Sequence, residues 1–549
     1  MTDEPALPGR PESERKGPRE RAEPGRRPDL PDRPESGLDP DDWGALRALG
    51  YRMVDDVIAY HRDVRDRPAW QPVPAASRDA LSHALPEEGA GAEAAYGELV
   101  EHVLPYPYGN IHPRHWGWVN GAGTTLGAFA EMLAAAMNPN CWGGEHGASY
   151  VEAQVLDWLK ALVGYAPDAS GVLLSGGSEA NLVGLAAARD ARVRGDVAVE
   201  GLRGLDADPV VYCSTETHNS VDKAISLLGL GAIGLRRVPV DEAWRIDVGA
   251  LRRAIDDDMA DGRQPIAVVG NAGTVNTGAI DDLAALAALC TEYDLWLHVD
   301  GAFGALAALS PALRPLVTAM ERADSLAFDL HKWLQVPIEA ACVLVRHAAD
   351  HRRPFSPPAS YLATFRRGIA SGEHFYAPLG PQLTRGFRAL KVWLTLRAHG
   401  AAAYRELVEQ NVRQARRLEA LVRAHEELEL VAGASLNVVC FRYAPAGASE
   451  AELDHLNREL LQRVQESGVA APSSTSTMTS ARVFSAPRSV VRLASAARTS
   501  TTASSWEIIP PWRITHRARG SDRSPSCAWA RSMRSRSAES RSICMRPKP

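Results

Sequence analysis

The pair His331-Lys332, in the run AFDLHKWLQVP, is where this sequence first offers covalent chemistry. Lys332 lies among Phe328, Leu330, Trp333, Leu334 and Val336, just after a stretch that reads as a strand. A lysine held among apolar side chains loses the solvation that favours its ammonium form. The amine that results is a nucleophile for carbonyls and can hold one as a Schiff base. A lysine at the end of an element can equally lay its stem on apolar surface and keep its head in water. Three further stretches bear on the choice. Asp300 closes the apolar run WLHVD, where a carboxylate can hold a pyridine nitrogen protonated or merely cap the next helix. SGGSEAN, at 175–181, follows a short apolar strand and opens a helix, so Gly177 and Ser178 can offer free N–H groups and the helix dipole to a phosphate. THNS, at 217–220, sets His218 in a strand-to-helix loop, to stack on a planar ring, to donate a proton, or to be an ordinary satisfied polar residue.

The four stretches come in the order phosphate turn, histidine, aspartate, lysine, each after a strand-like run. One cofactor explains them together. Pyridoxal 5'-phosphate would take Lys332 as its covalent anchor, Asp300 at its ring nitrogen, His218 on its ring face and Gly177 with Ser178 at its phosphate. The turn is neither a Walker loop nor a GxGxxG fingerprint, which argues against a kinase or a dinucleotide dehydrogenase.

The elements that must position these residues alternate. Strands are expected at 171–174, 210–213, 267–270, 296–299, 325–328 and 341–345, with helices at 179–194, 220–228 and 281–293 between them. That alternation predicts an α/β fold around a large, mostly parallel sheet. Residues 1–40 hold nine prolines among dense mixed charge and read as a disordered leader. A helical segment, capped by Asp41, fills 41–110, and the large cofactor-binding domain spans 111–398. Two helices flanking VVCFRY suggest a smaller α+β domain at 399–474. From Ala471 onward there are 13 Arg and 1 Lys against 3 acidic residues, with 18 Ser and no helical or strand period. The stretch 475–549 therefore reads as a disordered basic tail, a nucleic-acid or lipid-binding arm, or text from a shifted reading frame. A frameshift would leave the small domain without its last strands.

Composition closes off other classes. The chain is 549 residues long, with 45% hydrophobic and 23% charged residues, close to the globular average and against wholesale disorder. The longest apolar stretch, 122–137, is too short to span a bilayer and contains Glu131, so no membrane role is expected. The N-terminus lacks the apolar core of a secretory signal. Seven cysteines with no CxxC pair fit neither a zinc framework nor a disulfide scaffold, and suit a reducing cytoplasm with no metal. A net charge of −6 argues against nucleic acid as the main partner.

On its motifs the chain resembles the group II pyridoxal-phosphate decarboxylases, which include aromatic-L-amino-acid, glutamate and cysteine-sulfinate decarboxylases. The resemblance runs from about Trp43 to Ser474. It rests on HPRHWGWV at His112, NPNCWGG at Asn138, SGGSEAN, THNS, AGTVNTGAIDDL at Ala272, WLHVDGAFG, DLHKW and GFRALKVWLTLRAHG at Gly386. It implies the fold type I architecture, an obligate homodimer with the site at the subunit interface, and loss of CO2 from an amino acid. It also implies catalytic roles for Lys332, His218 and Asp300, with His331 and Thr274 as further cofactor contacts. The family's protonating acid is usually a tyrosine on a mobile loop. Tyr376 in SGEHFYAPLG matches its place counting back from GFRALKVW, with Tyr361 as competitor. Trp116 and Trp118 lie where the family shapes its side-chain pocket, and would favour an aromatic substrate unless both are core packing.

Departures are informative. Where the family often has Asn three residues before the lysine, this chain has Asp329. A carboxylate near a phosphate is unfavourable unless turned away or neutralised. An aminotransferase or an aldol-type lyase could use the same lysine, aspartate and phosphate turn, and an altered C-terminus could leave an inactive scaffold.

Overall fold

The computed structural model describes residues 37–356, 365–475 and 490–494, the last five, with 474 and 475, by their backbone. The chain divides into two compact units, Met1–Arg52 and Met53–Pro549. In the first, the cap of the opening helix is Asp42 rather than Asp41, its Oδ1 accepting from the N–H groups of Gly44 and Ala45.

The helices are α1 (Trp43–Arg62), α2 (Ala75–Ala80), α3 (Ala92–His102), α4 (Thr125–Met137), α5 (Gly147–Val163), α6 (Gly177–Arg192), α7 (Val197–Glu200), α8 (Ser220–Leu227), α9 (Val248–Ala260), α10 (Leu283–Glu292), α11 (Ala348–Arg352), α12 (Arg388–Arg423) and α13 (Glu450–Glu466). Seven strands make the main sheet: β1 (Ser170–Leu174), β2 (Pro209–Ser214), β3 (Leu235–Val238), β4 (Gln264–Asn271), β5 (Trp296–Asp300), β6 (Ser325–Asp329) and β7 (Ala341–Val345). Their order is β1-β7-β6-β5-β4-β2-β3, with only β7 running against the rest. Such a sheet buries both faces, and β2, β5, β6 and β7 are buried along their whole length. The α/β alternation expected from sequence is therefore present, and the added strand is β3. LRRV at the sheet's edge carries two arginines and no apolar alternation to announce it.

A second sheet, antiparallel throughout, has the order β10-β11-β9-β8, from β8 (Leu428–Ala432), β9 (Val438–Tyr443), β10 (Ser473–Thr475) and β11 (Val490–Ala494). β10 straddles residue 474, where the small domain was expected to end, and β11 lies beyond it. VVRLA, rich in β-branched residues, pairs with β9 on one side and β10 on the other. The rest of the tail lies outside the described residues. Helix α12, which leads into this sheet, breaks at Gly400, whose φ of 71° is open to glycine at little cost. Among the described residues no helix is long and apolar enough to cross a membrane.

Candidate active site

Five strands of the main sheet deliver the chemistry-bearing residues to one edge. β1 leads to Gly176 and the start of α6, β2 to Thr217 and His218, β4 to Thr274, β5 ends in Asp300, and β6 ends in Asp329 just before His331 and Lys332. Parallel strands with helical crossovers leave a crevice beyond their carboxyl ends, where side chains from separate strands can meet one ligand.

Lys332 and Asp329 form an ion pair of 2.8 Å, the lysine side chain 23% exposed and the aspartate 2%. His331 lies over the same carboxylate, Nε2 to Oδ1 at 3.9 Å, with its Nδ1 on the carbonyl oxygen of Ala340 at 2.8 Å. Burial lowers the pKa of His331, while the Asp329 carboxylate pulls the other way. Gly177 packs against this group so closely that a Cβ there would lie 2.9 Å from Asp329 Oδ2. Gly176 faces the His331 ring. The lysine loop is pinned from behind by Gly121, where any side chain would collide with the carbonyl oxygens of His331 and Lys332. Asn110 Nδ2 donates to the Gly121 carbonyl at 3.0 Å, and the Ala122 N–H donates to Gln335 Oε1 at 2.7 Å. The sequence gives no sign of that glycine's task, which depends on a backbone more than 200 residues away.

Asp300 is 6% exposed. Its Oδ1 accepts from the Ala302 N–H at 3.0 Å and its Oδ2 from Asn181 Nδ2 at 2.9 Å. The same Asn181 amide donates to Ser220 Oγ, which lies 2.9 Å from His218 Nδ1. Beneath them His298, fully buried, bridges Asn181 Oδ1 at 2.9 Å and Ser325 Oγ at 2.8 Å. Burial takes the His298 pKa down to about 4. It also lowers that of His218, against the pull of the Asp300 carboxylate and with the help of the Lys332 ammonium. Both imidazoles are therefore neutral near pH 7.

The remaining candidates have different surroundings. Ser178 is exposed at the start of α6, beside the buried Gly177. Thr274 is buried and spends its hydroxyl within its own turn, on Thr277 Oγ1 at 2.9 Å and the Ala279 N–H at 3.2 Å. Tyr376 is 4% exposed, and its hydroxyl donates to the Ser149 carbonyl at 2.9 Å. Burial pushes its pKa well up. Its ring carries the Arg385 guanidinium at 5.1 Å, and Arg385 in turn is paired with Glu152 in full burial and bonded to the carbonyl oxygens of Cys141 and Leu173. Tyr361, the competitor, lies outside the described residues. Trp116 turns its indole N–H onto the Pro113 carbonyl at 3.1 Å. Trp118 is 45% exposed, in a tilted stack with Tyr108 at 5.6 Å. Their segment runs directly into Gly121 and so to the lysine loop.

These surroundings fit the pyridoxal phosphate expected from the sequence. The first N–H groups of a 16-residue helix have no intrahelical partner and suit a phosphate. Asp300 has one donor on each oxygen and acceptor capacity left for a ring N–H. In the free chain the carboxylate of Asp329 near the phosphate turn is paired with Lys332.

Comparison with known proteins agrees. The pyridoxal-dependent decarboxylase conserved domain matches residues 74–444. An aromatic-L-amino-acid decarboxylase of Bacillus atrophaeus is 35% identical over 434 residues, covering 78% of this chain and 88% of that protein. A tyrosine decarboxylase of Oryza sativa is 32% identical over 474 residues, covering 81% and 86%. Among solved structures, Oryza sativa TDC with PLP and tryptamine superposes with a TM-score of 0.75 at 26% identity, over 83% of this chain and 94% of that one.

Proposed function

The chain belongs to the pyridoxal-dependent decarboxylases, carboxy-lyases that use pyridoxal phosphate on amino acids, and we propose that its own substrate is an aromatic L-amino acid. The observation that carries the site assignment is the meeting of Asp300, Lys332, His218 and the α6 start at one sheet edge, tied together through Asp329 and Asn181. The cofactor, when bound, supplies an electron sink for the bond that loses CO2.

Each residue then has a task. Lys332 would hold the cofactor through its amine. Asp300 holds a proton on the ring nitrogen, which favours the charge that develops as CO2 leaves. His218, neutral, would face the ring and has its Nε2 left for the substrate carboxylate. Gly177, Ser178 and the α6 dipole hold the phosphate, with His331 packed beside the turn. Thr274 braces the loop after β4, since its hydroxyl is already committed. The proton that completes the reaction comes from Tyr361, because the single hydroxyl proton of Tyr376 is given to Ser149.

Support for the aromatic substrate comes from Trp116, Trp118 and Tyr108 on the segments leading to Gly121, and from the aromatic and tyrosine decarboxylases among the similar proteins. The test is CO2 release from tryptophan, tyrosine and phenylalanine against glutamate, cysteine sulfinate, histidine and 2,4-diaminobutyrate. Faster turnover of any of the last four overturns the substrate assignment. A keto acid without CO2 would point to aminotransfer.

The working form is a homodimer. α4 leaves Met132, Leu133 and Met137 half or more exposed, an apolar face that a second copy would cover. A monomer in sedimentation at micromolar concentration would refute this. The five cysteines among the described residues are all unpaired and buried, in keeping with a cytoplasmic setting.

A further inference from the structure

The hydrogen bonds beneath the site can be given a direction, because a carboxylate at one end can only accept. At the other end stands the indole of Trp296, which can only donate; its Nε1–H reaches Ser325 Oγ at 2.8 Å. Ser325 Oγ, which accepts there, lies 2.8 Å from His298 Nδ1 and has its own proton free to give. With Nδ1 accepting, neutral His298 carries its proton on Nε2 and donates to Asn181 Oδ1 at 2.9 Å. The Asn181 NH2 donates to Asp300 Oδ2 and to Ser220 Oγ, both at 2.9 Å. The carboxylate end sets this orientation: Asp300 can only accept, so the Asn181 NH2 faces it and the amide oxygen is left to accept from His298 Nε2–H, which leaves Nδ1 to accept from Ser325. Ser220, having accepted from Asn181, gives its hydroxyl proton to His218 Nδ1 at 2.9 Å, where the Ser220 backbone N–H also points at 3.2 Å. His218 must then hold its remaining proton on Nε2.

We propose that Asn181 is a positioning residue that joins the ring-nitrogen carboxylate, Asp300, to the ring-facing imidazole, His218, and, with the Ser220 backbone N–H, holds His218 as the Nε2–H tautomer. Asn181 is 1% exposed and has both Nδ2 hydrogens and its oxygen engaged. No other side chain in the series touches both branches. Removing it frees Asp300 to turn and Ser220 to rotate its hydroxyl away, so that His218 keeps only the Ser220 backbone N–H on Nδ1 and can swing. Both groups that would contact the cofactor are then loosened by one substitution remote from it. The inference rests on the cofactor reading given above, but its first test does not.

That first test is long-range 15N–1H NMR of the cofactor-free full chain with labelled histidine. His218 and His298 are expected as Nε2–H tautomers, and a Nδ1–H tautomer at either overturns the direction of the series. The second is a double-mutant cycle on the dissociation constant of pyridoxal phosphate, read by absorbance, with Asn181→Leu and His218→Phe. Asn181→Leu keeps the volume and removes the hydrogen bonds. About tenfold weaker binding is expected from it in the wild-type background. In the His218→Phe background the loss should shrink by about threefold or more, because part of the effect of Asn181 runs through His218. Losses that simply multiply overturn the coupling, since a packing role alone would give that result. Wild-type protein that binds no pyridoxal phosphate refutes the cofactor reading instead, and leaves the tautomer result standing.

Discussion

Tyr376→Phe should behave as a stability variant and leave the chemistry intact. The substitution removes one hydroxyl, whose hydrogen bond to the Ser149 carbonyl is 2.9 Å long and lies in a buried region. The ring stays, and with it the packing against the Arg385 guanidinium. Ser149 lies within α5, so its carbonyl keeps its helical partner and is not orphaned. The expected cost is therefore that of one neutral hydrogen bond, about 1 kcal/mol, in denaturant unfolding of the cofactor-free protein. Tyr376→Ala, which also empties the space under Arg385, should cost about 3–5 kcal/mol. Turnover of the loaded Tyr376→Phe enzyme should stay within about threefold of wild type. Tyr361→Phe should lower amine formation by about 10²–10⁴-fold, the usual worth of a positioned proton donor. A hundredfold fall in kcat for Tyr376→Phe with an unchanged unfolding midpoint would refute the reasoning. It would mean that the Ser149 bond is broken during turnover and that Tyr376 delivers the proton after all.

Other outcomes follow from the same geometry. Arg385→Met strands Glu152 as a buried unpaired charge and should destabilise by about 3–5 kcal/mol, whereas Arg385→Met with Glu152→Met should recover most of the loss; urea unfolding of both decides. A double variant as unstable as the single would assign the effect to the bonds on Cys141 and Leu173. His298 is held near 4 when folded against about 6.5 when unfolded, so the unfolded chain binds the extra proton between those values. Stability should be full above about pH 6.5 and fall on acidification, by about 2 kcal/mol from this group by pH 5, and a flat midpoint over that range would contradict it. Buried His112, His115 and His351, each also near 4, act in the same direction. Lys332→Ala should lose both the visible Schiff-base absorption and CO2 release while keeping the fold, and a variant that still turns yellow would displace Lys332 as anchor.

The sheet was legible because its central strands are unbroken apolar runs that end in residues of another kind. VVYCS before THNS, WLHV before Asp300 and SLAF before Asp329 each mark the point where a buried strand reaches the crevice. Those ends are where ligand-binding groups can stand, so Asp300, His218 and Lys332 could be picked out from their place in the chain. The strand LRRV had no such signature, since an edge strand need bury little. The burial of Tyr376 was hidden for a different reason. Glycine and polar neighbours describe a flap as readily as a tight turn, and only the approach of Ser149, 227 positions away, separates the two.

What could not be read is the rigidity of the site. Asn181, Ser220, Ser325 and Trp296 are ordinary residues for a helix, a helix start and two strands, and nothing in their types reports that they form one polarised series. A buried polar group costs free energy unless it is paired, so each of these is tolerable only because the others are present. The partner of Asn181 at Asp300 is 119 positions along, and the partner of His298 at Asn181 is 117. Asp329 shows the same point from the side of charge. From the sequence, a carboxylate next to a phosphate turn counts against the site. In the fold the Lys332 amine, three residues on, lies 2.8 Å from it, so in the free chain that charge is paired. The identity of a residue thus sets what it can do, whereas the sign of its contribution is set by a neighbour that only the fold supplies.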